Sequence, residues 1–470
     1  MAAVAPRAAA AAVAVALTVV GTVAACSDSS EHSTASSAGA STTPLNPFEQ
    51  QRTDGVGALL DELSSVLRTG DRAGLDGLID DAAPRSIIDR LHTAVAAFAP
   101  SKNRGRRGGP LATTSFTYRV APSTGPEWQV DPALAAKVDE AGASDTWVTP
   151  VELTYALGGS STPGLAEPEV SLTETMVFAR YGDDWKVLGD AASASNPQPT
   201  TAKPAPPAEV GPWEFTGLAA ADVRTAGGTS VILSYPKTDK TLTRIESILP
   251  NAIAAVSKFW GDDWTQKAAV VTTGDQTEFS GLTRTAASDT TVAAAATVFS
   301  RIDRRAKQVV GQRIVLSPNA VDLSEPALAV VLRHELMHVA TRLSTSEISP
   351  MWLTEGVPEY VGRKGTYREF VDAAPDLAVE VAADRVPKKL PVDSDFAVDS
   401  DAARVAYQSA WSFAAFVADK YGESKLKDMY RKMTAAGDTP AMDAAMKTAV
   451  GHDKNALVKQ WQTWLRAQVR

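Results

Sequence analysis

His334-Glu335-Leu336-Met337-His338 is the stretch that decides how the second half of this 470-residue chain is read. At 3.6 residues per turn, positions four apart lie almost above one another, so both imidazoles face the same way and reach a single metal ion. Glu335 then points about 100° away around the helix, beside the metal rather than on it. The lead-in favours a helix: Ser324 is placed as an N-cap, Glu325 and Pro326 fall in the first turn, and an apolar run follows. Leu328, Leu332, Leu336, Val339 and Leu343 form an apolar stripe opposite the histidines. The bland alternative is a pair of core histidines with hydrogen-bonded rings.

Two histidines with a neighbouring glutamate, spaced HExxH, form the zinc-binding pattern of metallopeptidases, with the glutamate as general base. A catalytic zinc usually takes three protein ligands and leaves the fourth position to water, so a third ligand is required. The metzincin solution needs glycine at position 341 and histidine at 344; the chain has Thr341 and Ser344. The other solution is a glutamate from a second helix. Downstream stands Pro350-Met351-Trp352-Leu353-Thr354-Glu355-Gly356-Val357-Pro358-Glu359-Tyr360-Val361-Gly362.

With its WL-x-EG-x-x-x-YV pattern, this segment resembles the gluzincins. The resemblance implies Glu355 as the third zinc ligand and Glu359, one turn further, as the acceptor that fixes the tautomer of a ligand histidine. Without the upstream motif, both glutamates would read as solvated helix-surface residues. The chain departs from the family in two ways. The connection from Val339 to Thr354 is shorter than in thermolysin-like or aminopeptidase-like members, which calls for a tight loop. Pro358 removes the N–H that would bond to Thr354, which costs about 3 kcal/mol in a helix interior. Either the helix begins near Thr354 with Pro358 just past its first turn, or it kinks there.

The resemblance implies a Zn2+-dependent peptidase. The metal activates water and polarises the scissile carbonyl, while Glu335 takes the proton and passes it to the leaving amine. Tyr407 lies where aminopeptidase-like gluzincins place a transition-state tyrosine; a core tyrosine beside Trp411 is the equal alternative. The chain lacks the G-x-M-E-N motif that reads a free amine, which points to endopeptidase action on a peptide or protein substrate. Residues 293–297 are small and precede the zinc helix. They serve either as an edge strand that pairs with substrate, as in gluzincins, or as an ordinary core strand. A reading from another class is a non-enzymatic envelope lipoprotein that uses the zinc fold as a scaffold and its N-terminal domain to bind a ligand or partner.

The N-terminus supplies the address. Arg7 precedes an apolar run from Ala8 to Ala25, an export signal. Val23-Ala24-Ala25-Cys26 resembles a bacterial lipobox, which implies cleavage before Cys26, acylation of its thiol and anchoring to the outer face of the cell membrane. Cys26 is the only cysteine, so no intramolecular disulfide forms. An uncleaved anchor helix is the alternative, and it too leaves the body outside. A net charge of −9 argues against a nucleic-acid partner. Lys102, Arg104, Arg106 and Arg107 form one short basic cluster among glycines and read as a solvated loop. Nothing in the sequence bears on oligomeric state.

These readings divide the chain into a signal peptide at 1–26, a Ser/Thr/Ala-rich tether at 27–47, a first domain at 48–192, a Pro-rich linker at 193–211 and a peptidase domain at 212–470. In the first domain, helical patterns at Val56–Leu67, Leu75–Ile79 and Ser86–Phe98 precede extended patterns at Val151–Leu157, Val170–Tyr181 and Asp184–Leu188. This is an α+β plan, and its closing hairpin resembles that of nuclear-transport-factor-like cones. In the peptidase part, strands are expected at Ser230–Leu233, Ala268–Thr272, Thr291–Phe299 and Gln312–Leu316. Helices are expected at Leu242–Trp260, Ala402–Tyr421, Glu423–Ala435, Pro440–Val450 and Lys454–Val469. Asp393, Asp395, Asp399 and Asp401 fail the EF-hand test at Val398 and Arg404, and read as a solvated loop capping the helix that follows.

Overall fold

A computed structural model of the protein describes residues 46–100, 107–123, 127–195, 209–284, 293–397 and 401–470. Cys26 and the tether up to residue 45, Lys102, Arg104 and Arg106, most of the Pro-rich linker, Thr291 and Asp399 lie outside the described residues. The chain divides into two compact units with the boundary after Ala219. Among the described residues no helix is long and apolar enough to cross a membrane.

The first unit begins with helices α1 (Pro47–Thr69), α2 (Arg72–Leu78) and α3 (Arg85–Phe98). Asn46 starts α1 with a capping box: its side chain accepts from Phe48 and Glu49 N–H groups, and Glu49 reaches back to the Asn46 N–H. Strand β1 (Ala112–Val120), the two-residue β2 (Gln129–Val130), α4 (Pro132–Glu140), β3 (Asp145–Gly159), β4 (Val170–Tyr181), β5 (Asp184–Asp190) and β6 (Ala194–Ser195) follow. Strands β1, β3, β4 and β5 form an antiparallel sheet in that order. All three expected helices and all three expected strands are present, while β1 and α4 add to them. Trp213, assigned from sequence to the peptidase domain, belongs instead to this unit. Its buried ring meets Tyr155 at 4.7 Å and Phe116 at 5.1 Å, both edge to face. Burying so large an aromatic surface is what draws residues 212–219 across the expected boundary.

The second unit is built on a five-stranded sheet. Its strands are β7 (Ala219–Thr225), β8 (Gly228–Ser234), β9 (Ala269–Thr272), β10 (Ala295–Val298) and, beyond a small hairpin of β11 (Arg301–Asp303) and β12 (Gln308–Val310), β13 (Arg313–Leu316). The order is β10-β13-β9-β8-β7, with β8, β9 and β13 parallel and β10 antiparallel at one edge. Helix α5 (Asp239–Trp260) lies between β8 and β9 and buries Leu242, Ile245, Leu249, Ile253 and Val256. The short α6 (Gln276–Thr283) follows β9.

Helix α7 (Glu325–Thr341) carries the HExxH stretch. Ser324 caps it as expected, accepting from the Ala327 N–H at 3.3 Å. His334, Glu335 and His338 are as buried as Leu328, Leu332 and Leu336 on the apolar stripe, so both faces of the helix are enclosed. Leu343 lies past the helix end, in a 3-10 turn. Helix α7 is enclosed by α5, β10 and the helices that follow. The loop to the second glutamate is tight: Ser346 and Ser349 hydroxyls lie 2.9 Å apart, and the Ser346 N–H reaches Thr434 O at 3.2 Å.

The helix that carries Glu355 is interrupted. Helix α8 (Met351–Thr354) stops, Glu355 occupies the junction, and α9 (Gly356–Arg363) restarts. Pro358 thus sits in the first turn of α9, where a missing N–H is tolerated. The break falls at the carbonyl that Pro358 cannot bond. Asp393 corrects another reading: its carboxylate caps α8, accepting from the Met351 N–H at 2.8 Å, rather than the helix that follows it in sequence. The chain closes with α10 (Phe370–Ala373), α11 (Pro375–Ala382), α12 (Asp401–Tyr421), α13 (Glu423–Thr434), α14 (Thr439–Val450) and α15 (Lys454–Gln468). The last four are the expected C-terminal helices.

Candidate metal centre

Helices α7 and α9 cross closely enough to bring three side chains to one point. Two glycines permit this. A Cβ on Gly362 would stand 2.9 Å from Val330 O and 3.4 Å from the His334 Cβ, and one on Gly356 would stand 2.5 Å from Ala410 O. Any side chain at either place would push α9 away from α7 or from α12.

His334 Nε2 and His338 Nε2 are 3.0 Å apart. Glu355 Oε2 lies 3.3 Å from the first and 3.7 Å from the second. Zinc bonds of about 2.0–2.1 Å to nitrogen and oxygen set tetrahedral ligand separations of about 3.4 Å, so three atoms at these spacings suit one Zn2+ ion. Two imidazoles and a carboxylate are also one of the donor sets found in catalytic zinc sites. Among the described residues this is the one group of three or more His, Cys, Asp or Glu side chains so arranged.

The electrostatics favour a cation. Burial works against a charged ring at His334, but the carboxylates of Glu355, Glu359 and Glu335 outweigh it and hold the ring up at about 9. Burial likewise opposes the Glu355 carboxylate, and His338 and His334 overcome it, holding the group well below the usual carboxylate range. A cation held by His334, His338 and Glu355 would supply the counter-charge that these carboxylates call for.

Glu359 is fully buried behind His334, with Oε1 3.7 Å from His334 Nδ1. That distance is longer than a hydrogen bond, and neither atom has another partner among the described residues. Its second oxygen accepts from Arg363 Nε, and Arg363 also donates to Ala373 O. Arg363 was not legible as a site residue from sequence; only its position one turn past Glu359 hints at it.

Glu335 points to the side of the ligand group. Thr297 of edge strand β10 donates to Glu335 Oε2 at 2.7 Å, and Glu335 Oε1 has no hydrogen-bond partner among the described residues. Strand β10 is fully buried and is also an edge of its sheet. Tyr407, on α12, packs edge-on against Phe396 at 5.0 Å. Burial, and then Glu355, Glu359 and Glu335, push its hydroxyl far above the usual phenol range. Its ring is thus within electrostatic reach of all three carboxylates.

Residues 312–467 match the family model described as Peptidase MA superfamily. Among solved structures, a mutant M1 zinc metallopeptidase from Deinococcus radiodurans bound to a Tyr-Ser-Ala substrate is similar at 12% identity and a TM-score of 0.33, covering 52% of each chain. A second structure described as a mutant M1 zinc metallopeptidase from the same organism is similar at 14% identity and a TM-score of 0.34, again over 52% of each chain. A two-domain M1 zinc metallopeptidase mutant bound to L-tryptophan is similar at 12% identity and a TM-score of 0.32, over 53% of this chain and 52% of that one. The chain thus spans about half the length of these proteins. No curated protein matches it at a significant level.

Proposed function

We propose that this chain, a gluzincin-type zinc metallopeptidase of the Peptidase MA superfamily through its residues 312–467, hydrolyses peptide bonds on the outer side of a bacterial cell membrane to which Cys26 anchors it. The convergence of His334, His338 and Glu355 within 3.0–3.7 Å, with the free oxygen of Glu335 beside them, carries the reading. His334, His338 and Glu355 would hold the zinc, which would supply Lewis acidity toward the scissile carbonyl and lower the pKa of a water toward neutrality. Glu335 Oε1 accepts that water's proton and delivers it to the leaving amine. Strand β10 runs beside Glu335 at the edge of its sheet, the position from which an extended substrate would pair with it. Tyr407 is the group proposed to donate to the developing oxyanion. The test is cleavage of a quenched-peptide library by the full chain in detergent, with zinc content measured in parallel. Peptide bonds cut only with zinc present are expected, and absence of cleavage by zinc-loaded protein contradicts the reading.

Thr297 holds the general base. Its hydroxyl donates to Oε2 and leaves Oε1 without a hydrogen-bond partner among the described residues. Thr297→Val is expected to lower kcat about tenfold with zinc content intact, in line with loss of one hydrogen bond to a charged group. Thr297→Ser should keep most of the activity. Equal kcat for the valine and parent proteins would remove this role.

We also read the first unit as the nuclear-transport-factor-like cone, a reading supported by three helices that precede an antiparallel sheet. Cys26→Ala is expected to abolish acylation and leave the protein unprocessed or released from the membrane, as followed by palmitate labelling and fractionation. Normal processing of that variant sinks the lipobox reading.

A further inference from the structure

Arg342 follows the zinc helix directly, one turn beyond His338, whose carbonyl accepts its backbone N–H. Its guanidinium lies over the ring of Phe299, 4.8 Å from the centroid, and Phe299 is the residue after edge strand β10. Both Nε and Nη2 are buried, and neither has a hydrogen-bond partner among the described residues. Unmatched guanidinium donors are among the costliest groups to bury, and the planar fork suits a carboxylate in two-point contact. The mechanism above leaves Arg342 without a task.

Its surroundings share its sign. The β11–β12 hairpin, which continues from β10, carries exposed Arg301, Arg304, Arg305 and Lys307 against the single carboxylate of Asp303. Arg304 fastens this hairpin to the zinc helix end by donating to Leu343 O at 3.4 Å. In a chain of net charge −9, this is a concentrated positive surface beside the strand proposed to receive substrate.

We propose that Arg342 is a carboxylate-binding subsite at the Phe299 end of β10, which selects peptides bearing an acidic side chain or a free C-terminal carboxylate near the scissile bond. The inference rests on the peptidase reading. A strand laid along β10 passes Glu335 beside Thr297 and reaches Phe299 and Arg342 about two residues later, so one subsite of the substrate ends on the guanidinium.

Binding tests this without turnover. Zinc-loaded full-length Glu335→Gln protein is titrated with labelled peptides of a sequence cleaved by the parent, in two matched pairs: internal Glu against Gln with both ends blocked, and free acid against C-terminal amide. At least one pair is expected to show about tenfold tighter binding of the carboxylate member. A preference in the first pair identifies an acidic side chain, and one in the second identifies a free terminus. Adding Arg342→Gln is expected to bring the ratio to about one with zinc stoichiometry unchanged. Arg342→Met, of similar length, replaces it if the glutamine variant does not fold. No preference in either pair, or a preference that survives loss of the guanidinium, overturns the inference and leaves the peptidase reading standing. If the zinc-loaded parent cleaves no peptide, so that no such sequence exists, the peptidase reading fails and the inference with it.

Discussion

Glu335→Gln is expected to lower kcat by about three orders of magnitude while the protein keeps its zinc. Glutamine has the shape of glutamate and preserves an acceptor for the Thr297 hydroxyl, so the 2.7 Å contact that orients the side chain survives. What is lost is the basic oxygen at Oε1. General-base catalysis by a positioned side chain contributes about 10²–10⁴ in rate, which sets the scale of the loss. The check is kcat on a quenched peptide for the full chain, with zinc counted by mass spectrometry in the same samples. A variant within tenfold of the parent rate would mean that some other group takes the proton.

Glu355→Ala should be the more severe change, because it removes a ligand rather than a base. Loss of an outer-layer partner already costs about 10–100-fold in metal affinity, and loss of one of three ligands is expected to exceed that. It also leaves His334 and His338, 3.0 Å apart and buried, without the carboxylate nearest to both. Zinc stoichiometry should fall below one per chain after dialysis, and hydrolysis should vanish. Excess zinc is expected to restore little, since the remaining acid, Glu359, is turned toward His334 Nδ1 and held by Arg363.

Legibility from sequence follows how local each contact is. His334, His338 and the intervening glutamate are read from helical spacing alone, and Glu355 from a second short pattern that resembles the same family. Both survive because ligand geometry requires these residues at fixed offsets. The conflict posed by Pro358 has its answer at Thr354, whose carbonyl Pro358 cannot bond: α8 ends there, and α9 begins after Glu355. Contacts between distant residues were not legible. Thr297 reaches Glu335 across 38 positions, and Asp393 caps Met351 across 42. An aspartate cluster ahead of a helical pattern reads as a cap for that helix, and only the packed structure shows the α8 N-terminus closer at hand. Trp213 fell on the wrong side of the expected boundary for a related reason: the proline-rich composition marks where the chain is extended, while the aromatic cage of Phe116 and Tyr155 decides where it next packs.

The most direct measurement is zinc content against activity in the full-length protein, before and after chelation and in the Glu355→Ala variant. The metal centre built from His334, His338 and Glu355 predicts one zinc per chain in the parent, loss of metal and of peptide cleavage together on chelation, recovery of both on adding zinc, and neither in the variant. Cleavage that persists in zinc-free protein, or a full equivalent of zinc retained without Glu355, would contradict it.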